Sequence, residues 1–121
     1  MIETTIKDFL TGALDGVPVF LEMPETPSPR HPHIPDRFVL IERIGGNKSE
    51  QIHTASFALQ SYSRESLYEA ASLDEQVRDA MDDLDSLENI GAVRLSSNYN
   101  FTDTETKIYR YQAVYDIVYL R

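Results

Sequence analysis

Three histidines, a cluster of carboxylates and a glycine pair are the residues whose types and spacing could do chemistry. His31 and His33 form a His-x-His pair, with Asp36 a possible third ligand. A zinc site needs three or four ligands and a supporting shell of hydrogen bonds. Prolines flank both histidines, and two ligands on an open segment bind a metal weakly. The pair therefore reads as exposed polar side chains on a loop. His53 stands beside Thr54 and Ser56, but no nucleophile–base spacing accompanies it. Asp82 and Asp83, with Asp79 and Asp85, could perform acid–base work or hold Mg²⁺ or Ca²⁺. They lack the glycine and the closing bidentate glutamate of a calcium loop, so they read as a solvated helix face. Gly45-Gly46 lacks the spacing and the following Lys-Ser/Thr of a phosphate cradle and reads as a hairpin turn. No catalytic, cofactor-binding or metal-ligating residue is assigned, and the chain is not expected to be an enzyme.

Composition narrows the field further. The 121 residues fit one domain spanning 1–121, and 41% hydrophobic content supports one modest core. There is no cysteine, so disulfide and thiolate chemistry are closed. The start, Met1-Ile-Glu-Thr-Thr-Ile-Lys, lacks the basic and apolar regions of a signal peptide. No apolar run approaches the roughly 20 residues that span a bilayer, so no membrane partner is expected. The formal charge is −9 and the pI about 4.6, which disfavours binding to a phosphate backbone. Residues 63–88 hold nine acids and two bases, a net of −7, so most of that charge sits on one segment.

The elements that must position these groups follow from periodicity. Residues 107–121 carry the strongest signal: Tyr109, Tyr111, Ala113, Tyr115, Ile117 and Tyr119 alternate with Ile108, Arg110, Gln112, Val114, Asp116 and Val118. Period two with β-branched and aromatic residues predicts a long strand. Thr4 to Leu14 predicts a helix on the stripe Ile6, Phe9, Leu10 and Ala13, capped by Thr4 or Thr5 and ended by Gly12 or Gly16. Val17 to Leu21 predicts a brief edge strand, because Pro18 cannot donate a ladder bond. Residues 23–36 hold five of the six prolines and form a Pro-rich loop. Phe38 to Ile44 reads as a central strand buried on both faces. Gly45 to Lys48 would be the turn into an alternating strand from Ile52 to Tyr62. Ser66-x-x-Glu69 is a capping box. It opens a helix with Leu67, Ala70, Ala71, Val77, Met81 and Leu84 on one face, ending near Met81. Gly91 to Ser97 is a weaker strand, and residues 98–106 are a polar connection.

The order is α-β-β-β-α-β-β. It predicts an α+β fold with a mostly antiparallel or mixed sheet of about five strands and both helices on one face. Two readings stay open for Tyr109, Tyr111, Tyr115 and Tyr119. They could cover the sheet beneath the helices, or form a protein–protein surface, where tyrosine is enriched. The opposite face, with Arg110, Gln112 and Asp116, must meet water or a partner.

Four segments together resemble the tail terminator (tail-completion, head–tail joining) proteins of long-tailed bacteriophages and prophages. They are Val17-Pro-Val-Phe-Leu-Glu-Met-Pro24, Phe38-Val-Leu-Ile-Glu-Arg-Ile-Gly-Gly46, residues 55–71 (ASFALQSYSRESLYEAA), and Ser97-Asn-Tyr-Asn-Phe101 followed by residues 109–119 (YRYQAVYDIVY). They cover nearly the whole chain, and their order carries the likeness, not any single motif. The Pro-rich loop with His31 and His33 is longer than the family leads one to expect. The resemblance implies a structural virion protein assembled in the bacterial cytoplasm and located at the tail–neck junction. It implies a homo-oligomer, a hexameric ring on the head-proximal end of the tail tube, that stops polymerisation and meets the head–tail connector. DNA would pass through without specific binding, and no cofactor is implied.

A ring subunit needs two unlike contacting surfaces. The candidate subunit or partner contacts are Pro24, Pro27, Pro29, His31, His33, Asn47, Lys48, Tyr99, Phe101, Arg110 and Tyr111. Asp79, Asp82, Asp83 and Asp85 are candidates to face the channel and repel passing DNA. The competing readings are a DNA-mimicking inhibitor or adaptor, a neighbouring neck protein, and a small enzyme using His53 or the His31/His33/Asp36 group.

Overall fold

Alternating strands and two apolar helix stripes build one sheet under one layer of helices. Residues 1–24, 34–49, 51–105 and 108–120 are described in the computed structural model of the chain. In chain order the elements are α1 (Ile2–Ala13), β1 (Val19–Phe20), β2 (Arg37–Ser49), β3 (Ile52–Ser63), α2 (Leu67–Met81), a 3-10 turn (Leu84–Ser86), β4 (Ile90–Asn100) and β5 (Tyr109–Leu120). The sheet order is β1-β2-β3-β5-β4. Only β1 runs parallel to its neighbour; every other pairing is antiparallel. The expected α+β class, with about five strands in a mixed sheet, is what forms.

Both helices lie on one face. Ile2, Ile6 and Leu10 of α1 and Leu73, Val77 and Met81 of α2 join one buried cluster. The sheet supplies Val39 and Ile41, Ala55, Phe57 and Leu59, and Ala113, Tyr115 and Ile117 to the same cluster. Burying each large apolar side chain contributes roughly 1.5–3 kcal/mol. A second, smaller cluster sits on the other face, where Phe38 stacks on Tyr62 at 4.7 Å and packs with Leu40.

The helix ends follow local chemistry. Ser66 caps α2, its Oγ accepting from the Glu69 N–H at 3.0 Å. Helix α2 ends at Met81 with Asp82 as its C-cap, so Asp79 and Asp82 sit at the negative end of the dipole, where Arg78 in the last turn offsets part of their cost. Helix α1 starts earlier than expected, at Ile2. Thr5 therefore lies inside it and is not a cap, its hydroxyl donating to the Met1 carbonyl at 3.1 Å. Gly16, at φ +72°, supplies the left-handed turn that leads to β1.

Two strand boundaries differ from those the sequence predicts. Gly45, Gly46, Asn47 and Lys48 are not a turn: β2 runs through them to Ser49, and β3 starts at Ile52. The glycines serve an irregularity between Arg43 and Gly45, where the register with β3 shifts by one. β4 extends to Asn100 and takes in Asn98 to Asn100, which the sequence reading gave to a loop. Their polar character is outweighed by pairing with β5, Asn98 with Ala113 and Asn100 with Tyr111. Helix α2 buries Ala70, Val77 and Met81 on the expected stripe, and Leu84 just beyond its end is buried too. Leu67 is exposed, while Leu73 and Asp74 turn inward.

The bulge predicts an asymmetry between adjacent glycines. A Cβ on Gly46 would lie 2.8 Å from the Thr54 carbonyl oxygen and 3.3 Å from the Ala55 Cα. On Gly45 it would meet only the Ser56 Cβ, at 4.0 Å. We expect Gly46→Ala to destabilise by about 1–3 kcal/mol in urea unfolding, and Gly45→Ala to change stability by less than about 1 kcal/mol.

Candidate functional site

Strand periodicity sends alternate side chains of β3 and β5 to the face that carries no helix. Tyr62, Gln60, Arg110 and Gln112 thereby meet as cross-strand neighbours, since Tyr62 pairs with Arg110 and Gln60 with Gln112. They form a continuous chain of hydrogen bonds. Arg110 Nη1 donates to the Tyr62 hydroxyl at 2.9 Å, which donates to Gln60 Oε1 at 2.8 Å. Gln60 Nε2 donates to Gln112 Oε1 at 2.9 Å, and Gln112 Nε2 donates to the Tyr99 hydroxyl at 2.6 Å. The glutamines are buried although no helix covers them.

Aromatic rings extend this chain to the surface. The Arg110 guanidinium lies 4.3 Å from the Phe101 ring centroid and 5.4 Å from that of Tyr62. Its Nε donates to the Phe101 carbonyl at 2.9 Å. Tyr99 meets Phe101 edge to face at 5.6 Å. Tyr99 and Phe101 stay 41% and 45% exposed. Beside Arg110 a depression of about 270 Å³ is lined by Met23, Leu40, Glu42, Asp103 and Ile108, among others. This patch combines fixed aromatics with a positioned arginine, the composition that interface centres favour.

The structure distributes the expected contact residues unevenly. Tyr99, Phe101 and Arg110 come together as described. Tyr111 does not join them: it pairs with Ser61 and Asn100 and alternates to the helix-bearing side, half-buried. Asn47 and Lys48 are exposed on the outer half of β2, not in a turn. Pro24 is buried, and Pro27, Pro29, His31 and His33 lie outside the described residues. Asp36 is exposed, and its carbonyl accepts from the Arg64 N–H at 2.9 Å.

The acids divide into two kinds. Asp79, Asp82, Asp83 and Asp85 are exposed at the end of α2 and in the following turn. A groove of about 200 Å³ runs beside them along β4, with Val93 and Leu95 on its other wall. Asp74 is instead 1% exposed and tied at 3.0 Å to Arg78 Nε and to Asn98 Nδ2. It fastens α2 to β4. The sequence reading missed it because an acid inside an acidic segment resembles its solvated neighbours. The only signal was its place on the stripe Ala70, Leu73/Asp74, Val77, Met81.

Two further groups bear on chemistry. His53 stacks on Tyr119 at 5.0 Å, and its Nε2 is buried with no hydrogen-bond partner among the described residues. It lines a cavity of about 400 Å³ with Ile2, Glu3, Thr5, Arg43 and Asn89. On the face without helices, the Asp116 carboxyl is held below its ordinary range. A hydrogen bond from Ser56 Oγ at 2.6 Å is the largest cause, and Arg94 at 3.0 Å adds to it. Among the described residues no three or more His, Cys, Asp or Glu side chains cluster to hold a metal ion. No helix among them is long and apolar enough to cross a membrane.

With this geometry in hand, no protein-family model matches the chain and no curated protein is significantly similar to it. The likeness to tail terminators therefore rests on the order of segments alone.

Tyr115 gives a spectroscopic handle on the acidic groove it lines. Burial first, then the negative charge of Asp82, pushes its phenol up to about 12. The folded value lies above the unfolded value of about 10. Its contribution to stability is therefore complete below pH ~10 and lost as pH rises toward ~12. Tyrosinate absorbance should show one of the seven tyrosines titrating last in the folded protein. Tyr115→Phe should delete that last step, and Asp82→Asn should move it to lower pH.

Proposed function

We propose that the chain is a structural virion protein of the tail-terminator kind. It forms a ring on the head-proximal end of a phage tail tube, ends tube polymerisation there and meets the head–tail connector. The observation that carries this reading is the shape of β2. Four consecutive residues, Phe38 to Ile41, anchor it in the cores, and the next eight, Glu42 to Ser49, are exposed. Such an arm is costly to leave bare, since strand edges pair with other chains. The Tyr99–Phe101–Arg110 patch is a second surface of different chemistry, as a closed ring with distinct neighbours requires.

In this reading the Tyr99–Phe101–Arg110 patch meets tube or connector, through aromatics already fixed by Arg110. The exposed acids Asp79, Asp82, Asp83 and Asp85 have two possible places in a ring. They can face the channel, where they repel DNA phosphate, or lie at the seam between subunits.

Native mass spectra over a wide concentration range test the proposal. The expected result is a discrete closed oligomer, a hexamer, with no open series of larger species. Phe101→Ala should leave the ring intact and weaken capture of tail tubes or connectors by about tenfold or more. A chain that stays monomeric, even with tail tubes present, would sink the ring. If that monomer also inhibited a nuclease in a salt-sensitive way, the DNA-mimic reading would replace it.

A further inference from the structure

The sheet ends in two edges that no described residue covers. On one side β1 pairs with β2 only at Val39 and Leu40, so among the described residues no strand pairs with the outer edge of β2 from Glu42 to Ser49. Of the described residues that follow Phe20, Met23 lies on the helix-free face beside Leu40 and Glu42, not along that edge. On the other side, among the described residues, β4 pairs with β5 alone, and no strand pairs with its outer edge from Gly91 to Asn100. Each edge offers backbone N–H and C=O groups that seek partners.

The two edges are complementary in three ways. Their directions are opposite: β2 runs against β3, β3 against β5 and β5 against β4. A copy related by rotation about an axis along the strands keeps these directions. The β2 of one copy then meets the β4 of the next antiparallel, the more stable pairing. Their charges are also opposite. Arg43 pairs with Phe57 and Lys48 with His53, which places both bases on the helix-bearing face. Neither makes an ion pair among the described residues. Asp79, Asp82 and Asp85 border β4 on that same face, together with Val93 and Leu95. Finally, each edge exposes an apolar side chain, Ile44 at 50% and Leu95 at 42%.

We propose that the seam between subunits is a shared sheet. The outer edge of β2 from 42 to 49 adds to the outer edge of β4 in a second copy. Arg43 and Lys48 then lie against Asp79, Asp82 and Asp85. The contact is heterologous, so each copy gives one edge and receives one, and the chain of copies closes if the rotation closes. It rests on the ring reading above and places these acids at the seam, not in the channel. The bulge at Arg43 and the lysine at 48 are also the devices that keep an edge from pairing indiscriminately. Here they make it selective, because only an edge bordered by acids relieves the charge.

The chain has no cysteine, so engineered thiols report cleanly. Lys48→Cys and Asp82→Cys, each in an otherwise intact chain, are mixed with a short bismaleimide. Lys48→Cys with Tyr68→Cys serves as control, since Tyr68 is exposed at the opposite end of α2. In parallel, Arg43→Glu/Lys48→Glu and Asp79→Arg/Asp82→Arg are weighed by native mass spectrometry, alone and mixed. The expected result is cross-linking of the first pair and not of the control. Either charge-reversed chain alone should need about tenfold or more concentration to assemble. Their mixture should recover assembly with an even number of copies, alternating around the ring. Closed rings without the cross-link, unaffected by charge reversal, overturn this seam and leave the ring standing. The cross-link in open chains or bare pairs supports the seam and overturns the ring. A monomer with neither cross-link nor oligomer overturns both.

Discussion

The register between β3 and β5 decides the rest of this molecule. Twelve consecutive pairs join them without a bulge, from Ile52 with Leu120 to Ser63 with Tyr109. A slip of one residue would send every side chain to the other face. Ala55, Phe57 and Leu59 would leave the helices, and Gln60 would enter an apolar core. The helices hold this register because only one alternation presents a surface that Leu73, Val77 and Met81 can bury against.

The face without helices has the opposite problem. Antiparallel sheets can leave one face to water, yet Gln60 and Gln112 are buried there by their own neighbours. A buried amide without partners costs about 1–3 kcal/mol. The chain from Arg110 through Tyr62, Gln60 and Gln112 to Tyr99 removes that cost. It also fixes Arg110 and Tyr99 in place, so any partner arriving on Tyr99 and Phe101 meets side chains already ordered. Less conformational entropy is then lost on binding. Structural satisfaction and readiness to bind follow from the same hydrogen bonds.

The buried core and the exposed edges occupy different parts of the sheet. The core lies under α1 and α2, while the arm of β2 and the edge of β4 project beyond it, with almost every side chain exposed. Asp74 links these regions: paired with Arg78 and bonded to Asn98, it ties the acidic end of α2 to the outermost strand. Burial alone disfavours the charge on Arg78. Its hydrogen bond and attraction to Asp74 outweigh that penalty and hold the guanidinium charged. Removing Arg78 would leave the buried Asp74 carboxylate with Asn98 as its remaining side-chain partner.

What the sequence determined was whatever depends on near neighbours. Period two wrote β3 and β5, and the Ser66 box wrote the start of α2. These are steric and hydrogen-bonding preferences of adjacent residues, so they survive without tertiary context. The α+β class and the placement of both helices on one face followed from them. The turn expected at Gly45-Gly46 did not, because glycine serves a bulge as readily as a turn. Only the close approach of the Thr54 and Ala55 backbone shows which one operates. The extension of β4 through Asn98 and the burial of Asp74 were equally hidden, since each depends on a partner twenty-four residues away in sequence. The same holds for the candidate surface. Tyr99, Phe101 and Arg110 were legible as exposed aromatics and a base. Their convergence, and the departure of Tyr111 to the other face, came from strand register. Register is settled by the whole sheet at once, because its energy is the sum of all cross-strand pairs and of the helices packed above them.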